Sequence, residues 1–259
     1  MKPLPVGVVV VTHNSATAVA ACLNSVRENR AEASVVVDNA SIDTSVAVAQ
    51  AVGVQVVQQV TNQGFASGCN LGARRLTQPF ILFLNPDAVL APGALAAAYN
   101  YMVDHPQVAV VGLGLVDSEG RPEPDSWGSE VTLGSLVWGR RHTGTGNDQP
   151  HACAWVSGGA LLIRREVFGQ VGGFDEQFFL YWEDVDLCRR VRVHGYTVVA
   201  LPTATVIHER GASSVTAAQK TQQYDASADR YFRKHYATGV WLMQRFLRRG
   251  WRLWSPQVR

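Results

Sequence analysis

The side chains in this chain that can do chemistry fall into a few short stretches. Thr12-His13-Asn14 and Asp38-Asn39 each follow a valine-rich run, Asn62-Gln63-Gly64-Phe65 follows another, and Asn85-Pro86-Asp87 follows a phenylalanine- and leucine-rich one. Further on, an aromatic run from Phe178 to Trp182 opens directly onto Glu183, Asp184 and Asp186, and His208 closes a Val-Ile pair. Carboxylates are the usual ligands of hard divalent cations, with amides as neutral companions. An acid held against an apolar wall has a raised pKa and becomes a better base. Successive helical residues point about 100° apart, so Glu183 and Asp184 are expected to do different jobs.

Each stretch also has a plainer reading. Asn14 can cap the next helix, Asp38 can make an Asx-turn, and Asn85-Pro86-Asp87 can be a turn. Acids are favourable in a first helical turn, and Arg189, Arg190 and Arg192 sit nearer the far end of the same segment. His208 becomes informative only if the fold brings it near Asp87.

The elements that must position these groups alternate. Strands are predicted at 6–11, 35–37, 54–57, 80–84 and 108–111, with helices at 16–27, from Asp43 as N-cap, at 65–76 and at 92–103. Strands alternating with helices imply a parallel, doubly wound sheet. In such sheets ligands bind beyond the carboxyl ends of the strands, which is where the polar stretches fall. After Val116 the rhythm breaks: 117–124 reads as turn and loop, and Ser126 to Pro150 as a long loop. A strand is predicted at 155–163, a helix at 184–194, strands at 197–201 and 205–208, and helix beyond Ser214.

Composition narrows the classes. The 259 residues are 47% hydrophobic, and 23 basic against 21 acidic residues leave a net charge of +2. That gives no electrostatic footprint for nucleic acid. Cys22, Cys69, Cys153 and Cys188 are far apart, with no C-x-x-C pair, so neither a zinc site nor a disulfide framework is expected. No signal peptide or membrane span is read, so the expected location is cytoplasmic, free or attached to a membrane surface. G-x-G-x-x-G does not follow the first strand and no G-x-x-x-x-G-K-[ST] occurs, which argues against a dinucleotide oxidoreductase and a P-loop NTPase. A bound pyrophosphate would then most simply be neutralised by a metal.

Seven ordered stretches together resemble the family 2 inverting glycosyltransferases, most closely the bacterial rhamnosyltransferase-like branch. They are VVVVTHNS (8–15), VVDNASIDTS (36–45), NQGFASGCNLG (62–72), FLNPD (83–87), SGGALLIRR (157–165), GGFDEQFFLYWEDVDL (172–187) and IHERGASS (207–214). The resemblance implies an α/β GT-A fold: a Rossmann-like, mostly parallel sheet flanked by helices, over residues 1–214, with a helical extension over 215–259. It implies that Thr12, Asn14, Asp38 and Asn39 hold the base and ribose of a UDP- or dTDP-sugar, and that Gly64 and Asn70 line the nucleotide side. Asn85 and Asp87 match the D-x-D position, Asp87 and His208 would be metal ligands, and Asp184 would be the catalytic base with Glu183 beside it. The implied cofactor is Mn²⁺ or Mg²⁺, and an imidazole ligand suits manganese better. The implied acceptor is a cell-surface glycan or a polyprenyl-linked one. Two positions depart from the pattern: Asn85 replaces the first carboxylate of D-x-D, and Cys69 stands where many relatives carry Arg.

The C-terminal stretch mixes Trp241, Leu242, Phe246, Leu247, Trp251, Leu253 and Trp254 with Arg245, Arg248, Arg249 and Arg252. Such a helix reads either as one lying in the plane of an anionic membrane or as one packed on the main domain with its arginines in water. Lipid-linked acceptors in the resembled branch favour the first. The rival functions are a sugar-1-phosphate nucleotidyltransferase, which should carry a basic Gly-rich loop absent from Thr12–Ser15, and a degenerate sugar-nucleotide-binding partner subunit, which would not need Asp184.

Overall fold

The computed structural model describes residues 2–132, 149–208 and 217–254, with residue 217 and the last seven described by backbone only. The first half builds the alternation expected: β1 (Leu4–Thr12), α1 (Val19–Glu28), β2 (Ala31–Asp38), α2 (Ser45–Ala51), β3 (Gln55–Gln58), α3 (Phe65–Ala73), β4 (Phe80–Leu84), β5 (Ala88–Leu90), α4 (Ala94–Asp104) and β6 (Val108–Val116). The second half contributes β7 (Trp127–Gly128), β8 (His151–Ala152), β9 (Trp155–Val156), β10 (Ala160–Arg164), α5 (Arg165–Gln170), α6 (Glu183–Val193), β11 (Thr197–His208), α7 (Ala217–His235) and α8 (Thr238–Trp254). Helix α2 starts later than expected. Its N-cap is Thr44, while Asp43 sits one residue earlier and accepts the Ser45 and Ala16 N–H groups.

The main sheet runs β3-β2-β1-β4-β10-β6-β11-β5, with β8 added along β11. Strands β1, β2, β3 and β4 are mutually parallel, so their carboxyl ends share one rim. The sheet is not parallel throughout: β10 runs antiparallel between β4 and β6. The expected strand at 155–163 is in fact two. Strand β9 pairs with β7 in a separate small sheet, and the chain turns at Ser157–Gly159 before re-entering as β10.

The valine-rich strands are buried on both faces, and their residues sort by parity. Val6, Val8 and Val10 pack with Leu23 of α1 and Leu95 and Met102 of α4, while Val9 and Val11 pack with Cys69 of α3, Phe168 of α5 and Leu187 of α6. Helix α3 lies unusually close to the sheet. A Cβ on Gly72 would come within 2.4 Å of Val9, so only glycine fits there.

Strand β11 is a single element rather than the two expected, but it is interrupted. Its pairing with β6 jumps from Leu201–Leu113 to Thr205–Gly114, leaving residues 202–204 without a partner on β6 and Pro202 over Gly114. Before the bulge Val199 and Leu201 face the α1/α4 layer; after it Ala204 and Val206 do. The bulge has switched the facing of the strand.

Helix α7 packs against the segment that leads into α6. Phe178 and Trp182 bury themselves with Ala228, Tyr231 and Phe232, and the Ser227 hydroxyl donates to the Leu180 carbonyl at 2.8 Å. Under this apolar seam lies Asp186. Its buried carboxylate takes Arg190 at 2.7 Å, Lys234 at 2.8 Å and His235 at 2.6 Å. Burial alone would raise the pKa of Asp186, but these donors and charges outweigh it and lower the value to about 2. The stability this contributes is present above the unfolded carboxylate pKa of about 3.9 and is lost as pH falls through the folded value. Asp186→Asn leaves the cations without their charge partner and is expected to cost about 3 kcal/mol in urea unfolding at pH 7. The difference from the parent chain should shrink toward pH 2, and equal unfolding midpoints at pH 7 would refute the role.

Candidate active site

The rim formed by β1, β2 and the loop after β3 is knit together by its own polar side chains. Thr12 donates its hydroxyl to Asp38 Oδ1 at 2.9 Å, and Ser41 donates both its N–H and its hydroxyl to the same carboxylate. The turn reading of Asp38 is therefore correct as far as it went, with Thr12 as an added partner. Asn39 donates to the Gly64 carbonyl at 2.9 Å and accepts from Gln59, so both ends of its amide are engaged. Asn14 has left-handed backbone (φ 54°) and its side chain accepts the Ile42 N–H at 2.8 Å. It holds the neighbouring loop and does not cap α1, which begins only at Val19. Thr12, Asp38 and Asn39 are buried, so this part of the rim presents mainly backbone and loop edges to a ligand.

Gly64 and Asn70 fasten the same rim to the segment that leads into α6. Gly64 has φ 88°, and a Cβ there would lie 2.4 Å from the Phe179 carbonyl oxygen, which itself accepts the Phe65 N–H. Asn70 clamps Phe174 through both backbone groups, accepting its N–H and donating to its carbonyl at 2.9 Å each, and also donates to Glu176. Its side chain is thus directed to this segment.

The next group stands past the end of β4. Strand β5 pairs with the end of β11, setting Ala88 opposite His208. That register brings the His208 ring to Asp87: Nε2 lies 3.2 Å from Asp87 Oδ1 and 3.3 Å from Asn85 Nδ2. The fold thus meets the condition under which His208 carries information. The other ring nitrogen, Nδ1, lies 3.1 and 3.2 Å from the two oxygens of Glu123. Burial alone would lower the His208 pKa, but hydrogen bonds and charge from Asp87 and Glu123 raise it to about 9. Glu123 was missed in the sequence, where it sits in a Pro-Glu-Pro stretch with no pattern to mark it. A buried acid in a loop has no periodicity to betray it.

The acids of α6 follow a strained entry. Tyr181 and Trp182 both have φ 68°, a left-handed conformation that bulky residues adopt only when held there. Their rings are gripped by α7, Trp182 by Tyr224, Tyr231 and Phe232 and Tyr181 by Tyr224. Glu183 is buried, and burial followed by the neighbouring Asp184 charge pushes its pKa well up. Asp184 is less enclosed. Desolvation raises its pKa too, opposed by the N–H groups of Gly158 at 2.8 Å and Val185 at 2.7 Å. Two adjacent carboxylates thus have different surroundings, as the helical spacing requires.

The turn at Ser157–Gly159 joins the two acid centres. Gly158 donates to Asp184, and the Gly159 carbonyl accepts the Asn85 N–H at 2.9 Å. Asp184 and the Asn85–Asp87 turn are therefore neighbours across one dipeptide, at a single mouth of the sheet. A carboxylate of raised pKa beside a carboxylate–imidazole pair can accept a proton on one side and meet a cation on the other. Among the described residues no cluster of three or more His, Cys, Asp or Glu side chains makes a ready metal cage. Asp87 and His208 offer one oxygen and one nitrogen, a partial set that suits an ion shared with phosphate oxygens.

Comparison with known proteins gives the chain's family and fold. The curated relatives include an N-acetylglucosaminyl-diphospho-decaprenol L-rhamnosyltransferase of Mycobacterium tuberculosis, 29% identical over 75% of this chain and 74% of its own length. Another is the rhamnosyltransferase WbbL of Escherichia coli, 28% identical over 50% of this chain and 52% of that protein. Among solved structures, a Pyrobaculum calidifontis mannosyltransferase in complex with GDP-Man and Mn²⁺ superposes with a TM-score of 0.63 at 18% identity, covering 90% of this chain and 64% of that one. The S. aureus TarS fragment gives a TM-score of 0.58 at 19% identity, covering 90% and 72%. At such identities these structures establish the fold, the mostly parallel GT-A sheet flanked by helices. The family description "N-terminal domain of galactosyltransferase" matches residues 147–210. "Glycosyl transferase family 2" matches residues 7–172, well over half of the sequence, and the chain belongs to that family of glycosyltransferases.

Proposed function

We propose that this glycosyltransferase moves a sugar from a UDP- or dTDP-sugar to a lipid-linked or cell-surface glycan, with inversion at the anomeric carbon. The observation that carries the reading is the juxtaposition of Asp184 with Asn85–Asp87 across Gly158-Gly159. The rim of Thr12, Asn14, Asp38 and Asn39 receives the base and ribose, with Gly64 and Asn70 shaping the wall beside it. Asp87 and His208, with Asn85 alongside, hold Mn²⁺ or Mg²⁺ together with the donor diphosphate. When bound, that ion supplies Lewis-acid neutralisation of the departing nucleoside diphosphate.

Asp184 takes the proton from the acceptor hydroxyl as its oxygen attacks the anomeric carbon. One displacement inverts that carbon, and no covalent enzyme intermediate is needed. The Gly158 N–H holds the carboxylate in place, and burial together with the Asp184 charge disfavours ionisation of Glu183 beside it. The name of the mycobacterial relative supports rhamnose as the sugar and a polyprenyl diphosphate carrier for the acceptor. Mn²⁺ in the mannosyltransferase structure supports the cation.

Such a carrier would place the enzyme at a membrane surface, and α8 has the matching face. Among the described residues no helix is long and apolar enough to cross a membrane. Yet α8 leaves Leu242, Met243 and Phe246 exposed at 52%, 51% and 77%, while Trp241 and the buried Gln244 turn toward the protein. The sequence from 238 to 254 holds arginines and no acid. An exposed apolar face on a basic helix suits an anionic lipid surface.

Nucleoside diphosphate release should be measured across UDP-, dTDP- and GDP-sugars with and without Mn²⁺ or Mg²⁺. One donor should respond, with metal, and Asp184→Asn should lose 10²- to 10⁴-fold in transfer once acceptor is supplied. The wild-type rate should fall as pH drops, because the base gains a proton, with its midpoint above the ordinary carboxylate range of about 4. No release and no donor binding by calorimetry would favour the degenerate partner subunit instead.

In flotation with phosphatidylglycerol-containing vesicles, wild type should rise with the lipid, and Leu242→Ser/Phe246→Ser should bind about tenfold less or weaker still. Equal flotation of the two proteins, or none by the wild type, would dismiss the membrane face.

A further inference from the structure

The Pro122-Glu123-Pro124 stretch belongs to none of the seven family-like motifs, yet it delivers a carboxylate that is only 5% exposed to the edge of the proposed cation site. We propose that Glu123 is a positioning residue: it holds the Nδ1 side of His208 so that Nε2 is the nitrogen presented to Asp87 and to an ion bound there. This rests on the reading above that Asp87 and His208 are the metal ligands.

The backbone around Glu123 is fixed at several points. Prolines on either side lock φ at positions 122 and 124 near −65°. The Glu123 N–H donates to the Leu115 carbonyl at 2.9 Å, and the Ser126 hydroxyl donates to the Glu123 carbonyl at 2.8 Å. Val116 bridges Pro122, so the segment folds back along the end of β6. Strand β6 is also the parallel partner of β11, pairing Val116 with Ile207, the residue before the histidine. The same strand therefore sets the position of both the acid and the ring.

Both Glu123 oxygens face Nδ1, at 3.2 and 3.1 Å, and the opposite edge of the ring faces Asp87 and Asn85. An imidazole whose Nδ1–H is bound to a carboxylate can coordinate only through Nε2, and its orientation and basicity are set by that acid. The compensation is local and chemical. Asn85 removes one carboxylate from the proposed metal-binding turn, and Glu123 places another behind the histidine.

Mn²⁺ alone, titrated by electron paramagnetic resonance into wild type, Glu123→Ala, Glu123→Gln and His208→Ala, tests this without turnover. Glu123→Ala should bind Mn²⁺ 10- to 100-fold more weakly, the usual effect of removing such a partner. Glu123→Gln, whose amide oxygen can still accept from Nδ1–H, should lose less. Ring ¹⁵N spectra of neutral His208 should show the proton on Nδ1 in wild type and in Glu123→Gln, and loss of that preference in Glu123→Ala. If His208→Ala weakens Mn²⁺ while Glu123→Ala binds like wild type, the positioning role is wrong and the metal site stands. If His208→Ala also binds like wild type, the metal reading fails and the inference fails with it. Should Glu123→Ala not fold, a neutral wild-type His208 carrying its proton on Nε2 instead of Nδ1 would by itself overturn the proposal.

Discussion

Two peptide groups of the Ser157–Gly159 turn do much of the positioning in this molecule. The Gly158 N–H reaches the Asp184 carboxylate, and the Gly159 carbonyl receives the Asn85 N–H. Consecutive Cα atoms are about 3.8 Å apart, so the distance between the two acid centres is set by covalent geometry rather than by flexible side chains. The turn is itself held at both ends, by Ser157 N–H on the Ser126 carbonyl and by β10 running between β4 and β6. Glycine at both positions lets backbone, and not a side chain, meet the acids. A Cβ on Gly158 would sit 3.3 Å from the Phe65 ring, and one on Gly159 3.3 Å from Leu115.

The other side of the mouth is held by force of packing. Tyr181 and Trp182 are both in a backbone conformation that costs energy for large residues, and they stay there because α7 encloses their rings and Ser227 binds the Leu180 carbonyl. The charge cluster on Asp186 fastens that helix to α6 one turn below the acids. Helix α7 therefore helps to fix the start of α6, where Asp184 sits.

The legible part of the fold was the part governed by periodicity. Valine runs buried on both faces announced β1 and β2, and the polar residues after them marked the rim correctly. Asp87 and His208 could be named from motif, but their contact follows from the β5–β11 register, which no local pattern encodes. The antiparallel strand β10 was hidden because its apolar residues read alike in either direction. Asn39 and Asn70 could be named from motif, but the contacts of their amides with Gly64, Gln59 and Phe174 could not, because an amide's partners are decided by tertiary contact. Glu123 was invisible for the same reason, a lone acid between two prolines whose partner lies 85 residues away.

The bulge in β11 has a consequence for how this scaffold can vary. Three residues leave the ladder between Leu201 and Thr205, and pairing resumes with the strand facing reversed. His208 takes its direction from β5 and the end of β6 and not from the alternation upstream. A residue gained beside the exposed Thr203 can be absorbed in the bulge, leaving the histidine aimed where it is. The same change within 205–208 would slip the register and turn the ring to the opposite face. Descent with insertions and deletions is thus permissive on one side of Thr205 and prohibitive on the other.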